Sequence, residues 1–243
     1  MLKLELSHFF NKSVFLYQNP DYVKISMDTI LLSATVNLIY FKNKKNISVL
    51  DVGSGIGGGD VLLAYRLKNI SITGIELQKD LIDIATENIK KNNMSGRISF
   101  INSDIKQLKV IQNDGFDWVM TNPPFHMGST SPLKNKSLSY TENNITLSDW
   151  IKLSTKHVKN NGYFSIIHKP TRLDDIIFNL KSLNFGSISI FPVFTKDNDL
   201  IAKRVIVISK KGAKTGLTLH KNITQNKLIK ILQNPIDIYT DLN

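Results

Sequence analysis

The chain has 243 residues, no cysteine and a formal net charge of +11. Disulfides, a thiolate nucleophile and thiolate metal sites are therefore excluded, and with no run of about 18 apolar residues no segment is expected to span a membrane. At 42% hydrophobic and 21% charged, the composition is that of a folded chain rather than a disordered one. Met1-Leu2-Lys3-Leu4-Glu5 carries an acid early and no apolar signal segment, so a cytoplasmic location is expected. A basic surface attracts polyanions; a composition rich in lysine, asparagine and isoleucine is the other source of such a charge.

In chain order, two short strands over 14–18 and 22–25 are expected around the turn signal Asn19-Pro20-Asp21. Ser26 is placed to cap a helix running to about Phe41, with Asp28 in its first turn and Ile30, Leu31, Ala34 and Leu38 on one face. After a polar linker, βα alternation begins. Strands are expected over 47–52, 70–75, 97–102 and 116–121. One helix follows the first of them to about Lys68, and another places Leu81, Ile82, Ala85 and Ile89 on one side. Residues 126–145 read as a polar loop. A helix over 147–159, a strand over 163–168, a helix capped by Thr171 that buries Leu173, Ile176, Ile177 and Leu180, two strands over 185–194 and 200–209, and a basic tail with a last short helix complete the chain. The pattern is α/β with no internal repeat and no second domain. Residues 1–46 form an N-terminal segment and helix packed on the core, and 47–243 form the main domain.

Two stretches carry chemistry. Asp51-Val52-Gly53-Ser54-Gly55-Ile56-Gly57 closes the first parallel strand and opens a helix, and glycines there let a cofactor lie against bare backbone. Gly53, Gly55 and Gly58 with Glu76 also fit a dinucleotide fingerprint. Three acids favour S-adenosyl-L-methionine over a nicotinamide cofactor. Asp51 suits a cationic amino-acid moiety and would repel a pyrophosphate, Glu76 at the end of the next strand suits two ribose hydroxyls, and Asp104 after the third suits an adenine amino group. Ser54, Gly57, Leu77, Ile105 and Asn122 complete the candidate cofactor set. The second stretch, Asn122-Pro123-Pro124-Phe125, ends the fourth strand, because two prolines cannot donate to a ladder. The Asn122 side-chain oxygen and the Pro123 carbonyl can hold both N–H groups of a planar amine, leaving its lone pair aimed at a methyl donor. Phe125 can stack on the base. The candidate catalytic residues are Asn122, Pro123, Pro124 and Phe125.

The glycine turn, Glu76, Asp104 and the Asn-Pro-Pro-Phe motif resemble a class I S-adenosylmethionine-dependent methyltransferase over residues 47–210. The resemblance implies a Rossmann-like, mostly parallel seven-stranded sheet with an antiparallel last strand and helices on both faces. More narrowly, the chain resembles the bacterial tRNA(Val) adenine N6-methyltransferase family. The residues that carry this are Leu16-Tyr17-Gln18, the stretch from Tyr22 to Leu32, Ile167-His168-Lys169-Pro170-Thr171-Arg172-Leu173-Asp174 and Ala202-Lys203-Arg204-Val205. The resemblance implies that Asp51, Gly53, Gly55, Glu76 and Asp104 hold the cofactor and that 122–125 grip an adenine of tRNA. The motif is shared with ribosomal guanine N2-methyltransferases and release-factor glutamine methyltransferases, so these acceptors stay open, as does a non-catalytic RNA-binding protein on the same fold.

His126 extends the motif as a substrate-side residue, shaping the loop or receiving a proton. Lys203 and Arg204, with Lys210, Lys211, Lys214, Lys134 and Lys136, are candidate phosphate contacts. His8, His157 and His220 lack ligand spacing, so no metal is expected. His168 reads as structural or at the rim, and Trp118 and Trp150 as core.

Overall fold

Strands buried on both faces read as continuous apolar runs, and Ile47–Val52 (β3) and Phe116–Thr121 (β6) are of this kind. The computed structural model describes residues 4–19, 24–41, 44–108, 114–123, 145–196, 198–214 and 216–239. Within them, β3 and β6 lie at the centre of one sheet with Ile70–Glu76 (β4), Ile98–Asn102 (β5), Val158–His168 (β7), Phe185–Val193 (β8), Arg204–Lys211 (β9) and Leu217–Leu219 (β10). The order is β10-β8-β9-β7-β6-β3-β4-β5. The seven expected strands are β3 to β9, and β9 runs antiparallel to both its neighbours. The three-residue β10 adds an eighth at the edge, parallel to β8.

The pleat sends successive side chains to opposite faces. Val49, Trp118 and Met120 join one apolar cluster, in which Met27–Ser33 (α1), Gly58–Arg66 (α2) and Gln225–Gln233 (α6) also bury residues. Lys79–Lys91 (α3) adds Ile89 to that cluster. Leu50, Val119 and Phe164 join the opposite cluster under Leu147–Thr155 (α4) and Leu173–Ser182 (α5). Trp118 and Trp150 are both buried, as expected.

The N-terminal segment departs from expectation in two ways. Val14–Gln18 (β2) pairs antiparallel with Glu5–Phe9 (β1), upstream of it, and not with 22–25. Lys24 and Ile25 are not strand, and 20–23 lie outside the described residues. The connection turns through Phe10, Asn11 and Lys12, all with positive φ. The second departure is the length of α1, which is capped by Ser26 as expected but stops at Ser33, followed by a separate 3-10 turn over Leu38–Phe41. Arg66 of α2 ends it, donating from Nη2 to the Ser33 carbonyl at 2.9 Å and the Val36 carbonyl at 2.5 Å. Those carbonyls would otherwise be left without partners at a helix end.

Two asparagines fix the hairpin to the domain. Asn88 Oδ1 accepts from the Tyr17 amide at 2.6 Å, and its Nδ2 donates to the carbonyls of Tyr17 and Ile56 at 3.1 and 2.9 Å. One turn on, Asn92 treats Phe15 the same way. Side-chain amides from the last turn of α3 and its C-cap thus satisfy backbone groups of β2 on the edge away from β1. Farther along, α4 ends at Thr155 rather than Lys159, because β7 already starts at Val158 to pair with Phe116. Thr171 sits inside a 3-10 turn and does not cap α5. Strand β9 begins at Arg204, which leaves Leu200 and Ile201 in the β8–β9 connection.

Candidate active site

The chain runs β3, β4, β5 outward, then returns to place β6 on the other side of β3. Open α/β sheets bind ligands at such a reversal, outside the carboxyl ends of the strands. The register shows which residues meet there. Val52 pairs with Thr121 on one side and Ile75 on the other, so Gly53, Asn122 and Glu76 share one level of the rim, and Asn102 pairs with Glu76 beyond. The glycine turn, the Asn-Pro bend and the acid ending β4 are therefore neighbours about 5 Å apart in strand spacing.

The turn itself is tightly held. Gly53, Gly55 and Gly57 all have positive φ, at 85°, 56° and 69°. The amides of Gly53 and Ser54 donate to the Ile75 carbonyl at 2.9 and 3.0 Å. At Gly57 a Cβ would stand 2.7 Å from the Phe100 ring, so both conformation and space demand glycine, whereas at Gly55 it would meet nothing within 4 Å. Gly55 is the open wall of the crevice. Glu76 closes the turn from the side, accepting from the Gly55 amide at 3.0 Å and the Gln78 amide at 2.9 Å. Its burial raises its pKa against the pull of those amides. Each carboxylate oxygen retains a lone pair. Asn102 Nδ2 ties the carbonyls of Glu76 and Leu77 together at 3.0 and 2.8 Å, and Asp104 accepts from the Lys106 amide at 2.7 Å. Leu77 is half-buried and Ile105 buried beside them.

Three groups beside the turn lack an ordinary donor among the described residues. Ser54 Oγ and Asn122 Oδ1 are buried with no hydrogen bond there, and the buried carboxylate oxygens of Asp60 meet only the Asp51 carboxyl. A buried acceptor left unmatched costs about 1–3 kcal/mol, so each needs a reason. Asp60 faces Asp51. Burial first, then Asp60 and Glu76, push the Asp51 carboxyl well above the usual range. Burial raises Asp60 to about 7. Two adjacent acids with Glu76 close by form a site that favours a cation.

One positioning network is not visible as a motif. Trp150 of α4 donates from Nε1 to Thr121 Oγ1 at 2.8 Å, and Thr121 donates to the Val52 carbonyl at 2.8 Å. The chain of bonds joins the ends of β3 and β6, and the Trp150 ring lies 3.6 Å from where a Gly53 Cβ would stand. Pro123 is buried. Pro124, Phe125, His126, Lys134 and Lys136 lie outside the described residues.

The basic candidates separate by place. Arg204 and Lys203 stand at the start of β9, on the rim with the crevice. Arg204 Nε donates to Asp28 of α1 at 2.7 Å, and Lys203 Nζ is 3.6 Å from Asp199. Lys210 pairs with Tyr163 at the other end of the sheet, and Lys211 Nζ donates to the Val158 carbonyl at 2.7 Å, so these two, with Lys214 beyond, do not share the rim. His168, at the end of β7, is buried, and burial lowers its pKa to about 4, which keeps it neutral. No helix among the described residues is long and apolar enough to cross a membrane, and they hold no group of three His, Asp or Glu placed for a metal.

The sheet order, the glycine turn and the acids at successive strand ends define a class I S-adenosylmethionine-dependent methyltransferase. The demands of that cofactor and these residues agree: an open glycine wall, an acid pair for a cationic moiety, and Ser54 and Asn122 oxygens without a partner among the described residues. The chain belongs to the methyltransferase small domain family, which matches residues 26–171. It is similar to the tRNA1(Val) (adenine(37)-N6)-methyltransferase of Haemophilus influenzae strain PittEE, 30% identical over 165 residues that make up 67% of this chain and 68% of that protein. It is also similar to the release factor glutamine methyltransferase of Fusobacterium nucleatum, 28% identical over 188 residues, 73% of this chain and 52% of that one. In fold it is similar to M. jannaschii TYW2 in complex with AdoMet, with a TM-score of 0.58, 15% identity and 86% of each chain covered.

Proposed function

We propose that the protein methylates the exocyclic N6 of an adenine in tRNA. The observation that carries the proposal is the Asn122 side-chain oxygen, buried beside the glycine turn with no donor to satisfy it among the described residues. An N–H of the target amine supplies that donor. S-adenosyl-L-methionine, when bound, supplies an electrophilic methyl group on a sulfonium. The residues of the chain do the rest. Asp51 and Asp60 hold the amino-acid end, Glu76 the ribose hydroxyls, and Asp104, beside Leu77 and Ile105, the cofactor's adenine. Asn122 and the Pro123 carbonyl take the two N–H groups of the acceptor, and a fixed dipole aimed there costs no reorganisation during reaction. Phe125 stacks on the target base, which must leave its own stack to reach the rim. Residues 1–46 and 47–243 act as one unit in this reading, because the N-terminal hairpin is bonded to the glycine turn through Asn88.

A glutamine side chain presents the same planar NH2, and the similarity to a release factor glutamine methyltransferase favours it as the second reading. Methyl-labelled cofactor offered separately to tRNA, ribosomal RNA and protein separates the acceptors. Label is expected in tRNA and, after digestion, in N6-methyladenosine; label in ribosomal RNA or protein alone overturns the proposal. Asn122→Ala is expected to lower transfer by at least about 100-fold, as loss of a transition-state hydrogen bond does, with cofactor affinity little changed.

A further inference from the structure

Two large aliphatic side chains stand almost wholly in solvent on the rim of the active site. Leu200 is 97% exposed and Ile201 is 73% exposed. They lie side by side in the β8–β9 connection, which the antiparallel pairing of β9 with β7 brings to the carboxyl ends of the parallel strands: His168 pairs with Val205, and Ile166 with Thr121 one strand over. From β6 to β9 is two ladder spacings, and to β8 three, so the connection rises roughly 10 to 15 Å from Asn122.

The described part of the connection is built around Asp199. Asp199 Oδ2 accepts from the Lys196 amide at 3.0 Å and from Thr195 Oγ1 at 3.1 Å. The Asp199 amide donates to the Lys196 carbonyl at 3.2 Å, and the Lys203 amide donates to the Val193 carbonyl at 2.8 Å, closing the base. Arg204 anchors that base to α1 through Asp28. The two aliphatic side chains project into solvent between these bonded residues. Adjacent exposed apolar side chains mark a surface that meets a partner. Within 196–203 two lysines, Lys196 and Lys203, are matched by Asp197 and Asp199, and Lys203 Nζ lies 3.6 Å from Asp199; Lys169 and Arg172 follow the next strand end, in a chain of net charge +11. Apolar tips at the rim of a site read as taking an RNA base, on a chain of that charge, fit stacked bases better than they fit a protein face.

We infer that Leu200 and Ile201 form a wedge that enters the base stack of the RNA beside the nucleotide drawn into the active site. The inference rests on the reading of an RNA adenine as acceptor. Taking a base out of a stack leaves a gap, and aliphatic side chains that fill such a gap oppose its collapse. The separation between the connection and Asn122 is the span from that gap to the extruded base. Lys196 and Lys203 hold the flanking phosphates while the wedge acts.

The test uses an anticodon stem-loop with 2-aminopurine at the target position, whose fluorescence rises when it unstacks. The wild-type protein with bound cofactor product is expected to bind the stem-loop and raise the signal. Leu200→Ser/Ile201→Ser is expected to bind within about three-fold of wild type, since phosphate contacts carry most of the affinity, yet to lose most of the fluorescence rise. Its methyl transfer to the stem-loop is expected to fall roughly ten- to hundred-fold, but to stay near wild type on a short unstructured oligonucleotide whose adenine is already free. Both side chains are exposed, so the melting temperature should move by no more than about 2 °C. A variant that unstacks the base as well as wild type does overturns the wedge and leaves the acceptor assignment standing. A wild-type protein that neither binds nor unstacks any RNA overturns both.

Discussion

Asp60 is the residue whose placement costs the fold most plainly. It sits in the first turn of α2, fully buried, and among the described residues its oxygens meet only the Asp51 carboxyl. Its neighbour is the Asp51 carboxylate, so the two share a proton rather than both ionise. Burial raises Asp60 to about 7 and carries Asp51 well above the ordinary range. In the unfolded chain an aspartate titrates near 3.9. Between roughly pH 4 and 7 the folded protein therefore holds a proton that the unfolded chain has released, and stability falls as pH rises through that window. The contribution is complete below about pH 4 and lost above about pH 7, at close to 1.4 kcal/mol for each unit of displacement. Asp60→Asn places a donor toward Asp51, removes the Asp60 titration and takes away one of the causes that raise Asp51, leaving burial and Glu76. Its melting temperature should change less than that of wild type between about pH 5 and pH 8, and should exceed wild type at the upper end. A slope equal to that of wild type would show that the pair does not titrate as described. Asn122 is the opposite case at this scale: its oxygen has no partner among the described residues, and in the proposed reaction the acceptor amine supplies one.

Among the elements, the β1–β2 hairpin looks peripheral and is not. Asn88 of α3 makes three hydrogen bonds, two to Tyr17 of β2 and one to Ile56 inside the glycine turn. Ile25 reaches behind the same turn, since a Cβ on Gly58 would stand 2.7 Å from its Cδ1. Asn88→Ala leaves those backbone groups buried and unmatched, so it should cost about 2–4 kcal/mol in urea unfolding and weaken cofactor binding several-fold. Unchanged cofactor affinity would show that the hairpin supports the fold alone. This linkage also shows where sequence reading stops. Strands β3, β4 and β6 were legible because most of their residues are buried and apolar, and β5 from the βα alternation although Ser99 and Asn102 are exposed; the positions of Asp51, Glu76, Asp104 and Asn122 at or just past strand ends followed from those strands. The early stop of α1 was not, because the residues that continue the helical spacing, Ala34 and Leu38, say nothing of an arginine some thirty positions away that takes the carbonyls of Ser33 and Val36. Strand β1 was missed because Glu5–Phe9 is largely exposed and lacks an apolar face. The Trp150–Thr121–Val52 relay joins three elements distant in sequence, so no local pattern announces it. The start of β9 was misplaced because Leu200 and Ile201 are apolar, which suits a strand, yet they face solvent.

The whole molecule carries 31 basic and 20 acidic residues, and the sheet divides the lysines at its edges between two ends. Lys196, Lys203 and Arg204 belong to the end that holds the glycine turn and Asn122. Lys210 and Lys211 belong to the other, one over the Tyr163 ring and one bonded to the Val158 carbonyl. If net charge alone attracted the nucleic acid, either group would serve equally. If the rim is the docking face, only the first should matter. Each lysine that meets a phosphate displaces about one condensed counterion, so it adds close to one unit to the slope of log affinity against log salt. tRNA binding by the wild-type protein should weaken about ten- to hundred-fold between 50 and 200 mM salt. Lys196→Ala/Lys203→Ala should lower the slope by up to about two and weaken binding to cognate and non-cognate tRNA alike, because phosphates carry no sequence. Lys210→Ala/Lys211→Ala, with the same loss of charge, should leave the slope within about half a unit of wild type. Equal slopes for the two variants would mean that the surface attracts RNA without orienting it, and that the site is found by collision rather than by docking.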